Sequence, residues 1–341
     1  MLKLRRGTVA EAAAPDGGWQ RLAVELAGAR RPAVADVALV GGCAVGDEVV
    51  VNVEARDLAL GSGGFDVVHV NLTRGLDGEG TAGAHVMKLN YTSLQHAVLP
   101  VEGERLRTPL RRPAAAFPLH GHLAPVAWAI GQARPGTRVG YVQTAGGALP
   151  GAISSTVREL RARGLLAEHV TAGPAFGGER EAITTAGALH DGLAERGWEV
   201  ALAGPGPGIL GSGSALGHGG IAALDSAHAA LALGCPTVLV ARMSAGDPRP
   251  RHRGLSHHTR TVLELLLAPV TVPVAAGAAD PGLDAARARG HDVREAPADL
   301  AGYRASGLPA RTMGRELEED EPFFAAALAA GAVLAAMAEG R

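Results

Sequence analysis

The stretch "WEVALAGPGPGILGSGSALGHGGIAALDSAHAALALG", residues 198–234, decides the fold. A short apolar run of strand character leads into a long glycine loop and then into a helical pattern. The same rhythm recurs along the second part of the chain. "TRVGYVQT" (137–144) precedes the helical "LPGAISSTVRELRARG", and "AEHVTAGPAFGG" (167–178) precedes "EREAITTAGALHDGLAERG". "CPTVLVARMSAGDP" (235–248) precedes the helix after "GLSHH", and "VTVPVAAGAADPG" (270–282) precedes "LDAARARG". Strand, glycine loop and helix in alternation predict a mostly parallel, doubly wound sheet with helices on both faces, a Rossmann-like α/β domain. In such sheets ligands sit outside the carboxyl ends of the strands, near a topological switch point. The loops at 144–147, 173–179, 204–220 and 243–257 therefore converge on one candidate site.

Residues 1 to about 105 read differently. "DEVVVNVEA" (47–55), "FDVVHVNL" (65–72) and "AHVMKLNY" (84–91) are strand-like and bounded by glycine or aspartate turns, which predicts a β-barrel-like domain. "EGERLRTPLRRPAAAFP" (102–118) breaks both periods with three prolines. The expected domains are thus 1–105, β-rich, and 116–341, α/β with the candidate site.

The 341 residues carry a net charge of −2, with a pI near 6.7. No whole-chain attraction to nucleic acid or to an anionic membrane follows. Cys43 and Cys235 stand far apart and form neither a disulfide framework nor a metal-spaced pair. The first residues lack the apolar segment of a secretory signal, so a cytoplasmic location is expected. "PFFAAALAAGAVLAAMA" (322–338) is at the lower limit for a membrane span and reads as a buried helix. Homodimerisation is the expectation for a protein of this class.

Chemistry concentrates in "ARMSAGDPRPRHRGLSHHTRTVLELLL", residues 241–267. Ser256 is placed as an N-cap, which sets His257 and His258 in a first helical turn where imidazoles stay neutral. Arg251 and Arg253 crowd the approach and favour an anion. Asp247 has three roles open to it: metal ligand, base, or partner of an arginine. Gly206, Gly208 and Gly211 match G-x-G-x-x-G, yet Pro205 and Pro207 remove amide donors and the helix begins too late for a dinucleotide. A phosphate or carboxylate held by this loop, with Gly213 and with Ser212, Ser214 and His218 as donors, suits it better. "FPLHGHLAPV" supplies His120 and His122, an H-x-H pair open to metal ligation or to helix capping. Glu179 reads as the opening residue of a helix after a strand loop, and as a candidate general base.

The strings "LHGHLAPV", "TAGPAFGGEREAI", "GPGILGSGSALGHGGI", "AGDPRPRHRGLSHHT" and "AHVMKLNYT" together resemble an uncharacterised bacterial family, domain of unknown function 3866. The resemblance spans nearly the whole chain and implies no activity. Its pattern carries a histidine in "AGHAFGG" where this chain has Pro174.

The functional expectation is an enzyme, a hydrolase or transferase, acting on a small anionic and phosphorylated metabolite. Arg251, Arg253, Ser256 and the glycine loop would bind the anion, Glu179 or Asp247 would act as base, and His257 or His258 as acid. A divalent metal, zinc or manganese, on some of His120, His122, Asp247, His252 and His257 is a variant of this reading. The alternative is a non-catalytic regulatory module that binds a nucleotide or metabolite.

Overall fold

A computed structural model of the chain describes residues 1–60 and 63–339. The chain divides into two compact units, Met1–Leu99 and Pro100–Arg341. In the first, strands β1 (Leu4–Ala12), β2 (Trp19–Leu26) and β3 (Ala29–Asp36) are followed by the short helix α1 (Val37–Val40). Strand β4 (Glu48–Asn52), helix α2 (Glu54–Asp57) and strand β5 (Asp66–Asn71) complete a closed barrel of order β1-β2-β3-β5-β4. Its pairs are antiparallel except β3 with β5, the connectivity of a five-stranded Greek-key barrel of the OB type. The period of two in β2 points Leu22, Val24 and Leu26 inward, against Val9, Val49, Val51 and Val68. A hairpin of β6 (Val86–Lys88) and β7 (His96–Val98) follows.

Two strands are shorter than the sequence suggests. β4 stops at Asn52, whose side chain accepts the Glu54 amide and starts α2. β6 stops at Lys88, because Leu89 and Tyr91 take left-handed φ values of 51° and 59° that no strand accommodates.

The second unit holds eight parallel strands in the order β11-β10-β9-β12-β8-β13-β16-β17. They are β8 (Ala114–Ala116), β9 (Val139–Thr144), β10 (Glu168–Ala172), β11 (Arg180–Ala182), β12 (Val200–Pro205), β13 (Thr237–Leu239), β16 (Thr271–Ala275) and β17 (Asp292–Ala296). A two-stranded antiparallel ribbon, β14 (Met243–Ser244) with β15 (Gly254–Leu255), leaves the end of β13. Helices α3 (Leu123–Ala133), α4 (Ser155–Ala162), α5 (Thr185–His190), α6 (Ala222–Ala232), α7 (His257–Leu265), α8 (Pro281–Ala288), α9 (Leu300–Ala305) and α10 (Glu321–Glu339) surround the sheet.

The central strands β8, β9, β12 and β13 are buried at every position, as a sheet covered on both faces requires. Ala115, Tyr141 and Leu202 face the layer of α3 and α10, while Ala114, Ala201 and Ala203 face that of α5 and α6. Small side chains let layers approach. A Cβ on Gly140 would fall 2.0 Å from the Trp198 ring, so the indole lies flat over β9. The α10 helix is long and apolar enough to cross a membrane, yet two-thirds of that window is buried inside the protein, with Phe323, Phe324, Leu328 and Leu334 in the core.

Glu179 does not open a helix. The turn at Gly177 and Gly178 returns the chain along β10, so that Arg180 pairs with Val170 as the first residue of β11. Glu179 then lies beside His169, toward the amino-terminal end of β10, where it accepts the His169 amide and an Arg161 hydrogen bond of 2.6 Å. It is withdrawn from the carboxyl edge, and the role of base assigned to it goes with it.

Helices α3 and α10 touch through Gly331, where a Cβ would come within 2.5 Å of Ala129 Cβ and 2.6 Å of the Val126 carbonyl. Gly331→Ala is expected to destabilise the protein by about 1–3 kcal/mol through overpacking, read as a lower urea midpoint. An unchanged midpoint would contradict this packing.

Candidate functional site at the carboxyl edge

Four adjacent strands, β9, β12, β8 and β13, send their loops to the centre of one edge. The loop after β8 brings Pro118, His120 and His122, and that after β12 brings His218. The ribbon after β13 doubles back so that Ser256 N donates to the Arg242 carbonyl and Arg242 N donates to Thr259 Oγ1. This clamp fixes the start of α7 beside Arg242. Ser256 caps α7, as its position predicts, accepting the His258 amide.

His218, His257 and His258 come together, with one ring nitrogen from each lying within 4.8 Å of the others. His218 and His258 stack with centroids 3.9 Å apart. His252 joins the cluster at 4.8 Å from the His257 ring and 5.0 Å from that of His258. Gly220 makes the room: a Cβ there would sit 3.0 Å from His258 Nδ1, 3.2 Å from His218 Nδ1 and 3.2 Å from Pro118 Cβ.

Hydrogen bonds assign the protons. His218 Nε2 lies 2.9 Å from the Ala215 carbonyl, which only accepts, so the proton is on Nε2 and Nδ1 presents a lone pair. That Nδ1 is buried and has no hydrogen-bond partner, and His257 Nε2 is in the same condition. His258 Nδ1 accepts from Arg242 Nη1 at 3.1 Å, since a guanidinium cannot accept. His258 therefore carries its proton on Nε2. Burial first, then the positive charge of Arg242, lowers His258 to about 2. Burial also lowers His257 to about 4 and His252 to about 3. All three are neutral at physiological pH. A neutral His258 is a hydrogen-bond donor, not an acid, which corrects the role of proton donor expected of either histidine.

Arg242 is 2 % exposed. Burial lowers its pKa to about 10 against the support of Asp247, so it remains a cation. Asp247 is wholly buried and is consumed as a counter-ion. Arg249 donates to both its oxygens at 2.9 and 2.8 Å, and Arg242 and Arg315 reach it at 3.4 and 3.5 Å. Burial alone would raise this carboxyl, but the hydrogen bonds from Arg249 carry it far below the usual carboxylate range. Neither ligand nor base is left in Asp247. Asp320, at the start of α10, ties the same loop down through Ser244 Oγ, Ala245 N and Arg315 Nε.

Other expected site residues are elsewhere. His122 is enclosed, stacked 4.3 Å from Phe323 and edge-on to Phe117, with both nitrogens unpartnered. His120 bonds the Pro205 carbonyl and Ser154 Oγ. Of the metal set read from sequence, His257 belongs to the group whose ring nitrogens converge and His252 packs its ring against it, while His120, His122 and Asp247 are not part of it. Gly208, Gly211, Ser212, Gly213 and Ser214 form an exposed loop whose two serines bond each other, Ser214 Oγ also accepting the Gly217 amide, while buried Gly206 locks against Ala148 and Gln143. The helical turn starts only at Gly219, so the glycine motif is no helix-terminal cradle. Arg251 and Arg253 are exposed, and Arg253 donates to the Asp247 carbonyl. Arg242, the residue that organises the cluster, belongs to none of the candidate sets drawn from the sequence. Its signal is a charge inside the apolar run "TVLVARMSA" (237–245).

A family model described as "Protein of unknown function (DUF3866)" matches residues 32–331. No curated protein and no solved structure matches the chain.

His122 generates a pH prediction. Its pKa is lowered by burial to about 3, whereas an unfolded histidine titrates near 6.5. Stability from its neutral form is complete above about pH 6.5 and is lost as pH falls toward 3, because the unfolded state binds the extra proton. His122→Phe, which keeps the aromatic stack, should reduce the slope of unfolding free energy between pH 6 and 4 by about 1.4 kcal/mol per pH unit. An unchanged slope in urea titrations would contradict a buried neutral His122.

Proposed function

From the premise that the chain belongs to this family of proteins of unknown function, a membership that names no reaction, we propose that it is an enzyme of the hydrolase or transferase type. Its centre takes a small anionic, phosphorylated metabolite, with a divalent metal held at His218, His257 and His258. The observation that carries this reading is the pair of buried, unpartnered imidazole nitrogens, His218 Nδ1 and His257 Nε2, in one three-histidine group at the carboxyl edge. Fixing the tautomer of a ligand histidine through a carbonyl, as Ala215 does for His218, is the usual support of a metal site.

Zinc sits about 2.0–2.1 Å from each imidazole nitrogen, and the parallel rings of His218 and His258 direct their lone pairs side by side. His258 completes the set only by turning its ring and releasing Arg242 Nη1. Otherwise it stays a neutral donor, and its Nε2–H meets an oxygen of the bound anion.

Charge supports an anionic substrate. No carboxylate is in the group, and Arg242 is adjacent. At an effective dielectric of about 20, a unit charge pair 4 Å apart interacts by ~4 kcal/mol, so a divalent ion beside a guanidinium requires an anion to balance it. A metal bound there would supply a nucleophilic water, its pKa lowered to about 7. The protein's own residues orient the anion: Arg251, Arg253 and His258.

A second reading, a binding module without turnover, is favoured by the Arg242–His258 hydrogen bond. In it the neutral imidazoles cage a guanidinium, and that cation alone receives the ligand.

Elemental mass spectrometry on untagged protein separates the two. Near-stoichiometric zinc or manganese is expected in the wild type, with loss in both His218→Ala and His257→Ala. Metal-loaded wild type should hydrolyse members of a phosphomonoester panel, and His257→Ala should lose at least about 100-fold in rate. Metal-free protein that binds phosphate but turns over nothing would replace the enzyme with the binding module.

A further inference from the structure

A second constellation stands on the same edge of the sheet and owes nothing to the three-histidine group. His120 follows β8, and Ser154 is the N-cap of α4 after β9. His120 Nδ1 lies 3.1 Å from the Pro205 carbonyl at the end of β12, and His120 Nε2 lies 2.8 Å from Ser154 Oγ. A carbonyl cannot donate, so the proton is on Nδ1 and Nε2 offers its lone pair to the serine hydroxyl. Tyr141 braces the ring, its hydroxyl 3.3 Å from His120 Nδ1 and bonded to the Gly204 and Pro205 carbonyls. Burial lowers His120 to about 4, which keeps the lone pair available at neutral pH.

The serine is also placed where negative charge is tolerated. Ser154 Oγ accepts the Val157 amide, and the first amides of the eight-residue α4 lack intrahelical acceptors. Ser154 itself is 3 % exposed. It is one residue from the surface, because Ser155 and Gly121 are exposed and His120 is partly so. An N-capping serine needs only its oxygen as acceptor. Here the hydroxyl proton is in addition aimed at a histidine whose tautomer is set from the opposite side, the arrangement of a nucleophile and its base.

We propose that Ser154 is a nucleophile and His120 its general base, in an acyl-transfer site for activated esters or thioesters. Ser154 Oγ adds to the acyl carbonyl carbon as its proton passes to His120 Nε2. Collapse of the adduct expels the thiolate or phenolate, which takes that proton, and the acyl group remains as an ester on Ser154. Water, deprotonated by the same Nε2, then releases the acid and restores the serine.

The leaving group follows from the third member. Pro205 offers a neutral carbonyl where a triad has a carboxylate, so it orients the imidazole without neutralising the imidazolium. A site of this kind suits leaving groups that depart readily and does not suit amides.

The test uses the full chain and an alkyl fluorophosphonate, in which the P–F bond breaks as a P–Oγ bond forms. Peptide mass mapping is expected to find one adduct, on Ser154, with the same yield after treatment with a chelator. His120→Gln should slow labelling by about 100-fold or more. Ser154→Asn, which keeps a capping oxygen, should abolish labelling with the thermal midpoint retained. Folded wild type left unmodified at Ser154, or His120→Gln labelled at the wild-type rate, overturns the proposal. Because labelling needs no metal, its failure leaves the three-histidine reading untouched, and metal-free protein that is labelled leaves this one standing.

Discussion

The structure around the site depends on the charge of Arg242, buried beyond the end of a central strand, which adds to burial in keeping the neighbouring histidines neutral. The guanidinium stays a cation at neutral pH, and the fold matches it with Asp247 and with the lone pair of His258. Asp247 is held ionised and occupied chiefly by Arg249, with Arg242 at 3.4 Å, which removes this carboxylate from any chemical role. The histidines facing Arg242 cannot also be cations. Their neutrality leaves a buried lone pair on His218 Nδ1 and a buried His257 Nε2, both without hydrogen-bond partners.

This arrangement depends on the order of the strands. Because β8 is central and the chain returns to place β12 between β8 and β9, loops distant in sequence emerge side by side. Glycine then sets the spacing. Gly146 and Gly219 abut so closely that a Cβ on Gly219 would fall 1.8 Å from the Gly146 carbonyl, and Gly220 leaves space between two imidazoles. The apolar layers beneath supply rigidity, with α3 and α10 on one face and α5 and α6 on the other.

Much of the fold was legible because it is written in periodicity. Strand, glycine loop and helix repeat visibly, and the barrel follows from alternating short strands. What failed was local. Nothing in "GGEREAI" (177–183) says that a strand, not a helix, follows the glycines, since that choice is made by pairing with β10. The site was half legible. Ser256 as cap and His257 and His258 in the first turn of α7 follow from local rules, and His218 was read as a loop donor. His120 and His122 group with them by residue type, but their partners come from Ser154, Pro205 and Phe323, 34 to 201 residues away along the chain. Asp247 has three roles open to it in the sequence, and its burial among Arg249, Arg242 and Arg315 selects that of counter-ion.

The most direct measurement is a crystal structure of protein grown with zinc, with diffraction collected above and below the zinc absorption edge. The account predicts an anomalous peak bridging His218 Nδ1 and His257 Nε2, with the third position taken by His258 or by an anion that its Nε2–H contacts. Arg242 Nη1 still bonded to His258 with no peak between the histidines, in crystals that bind zinc elsewhere, would contradict a metal centre and leave a guanidinium cage.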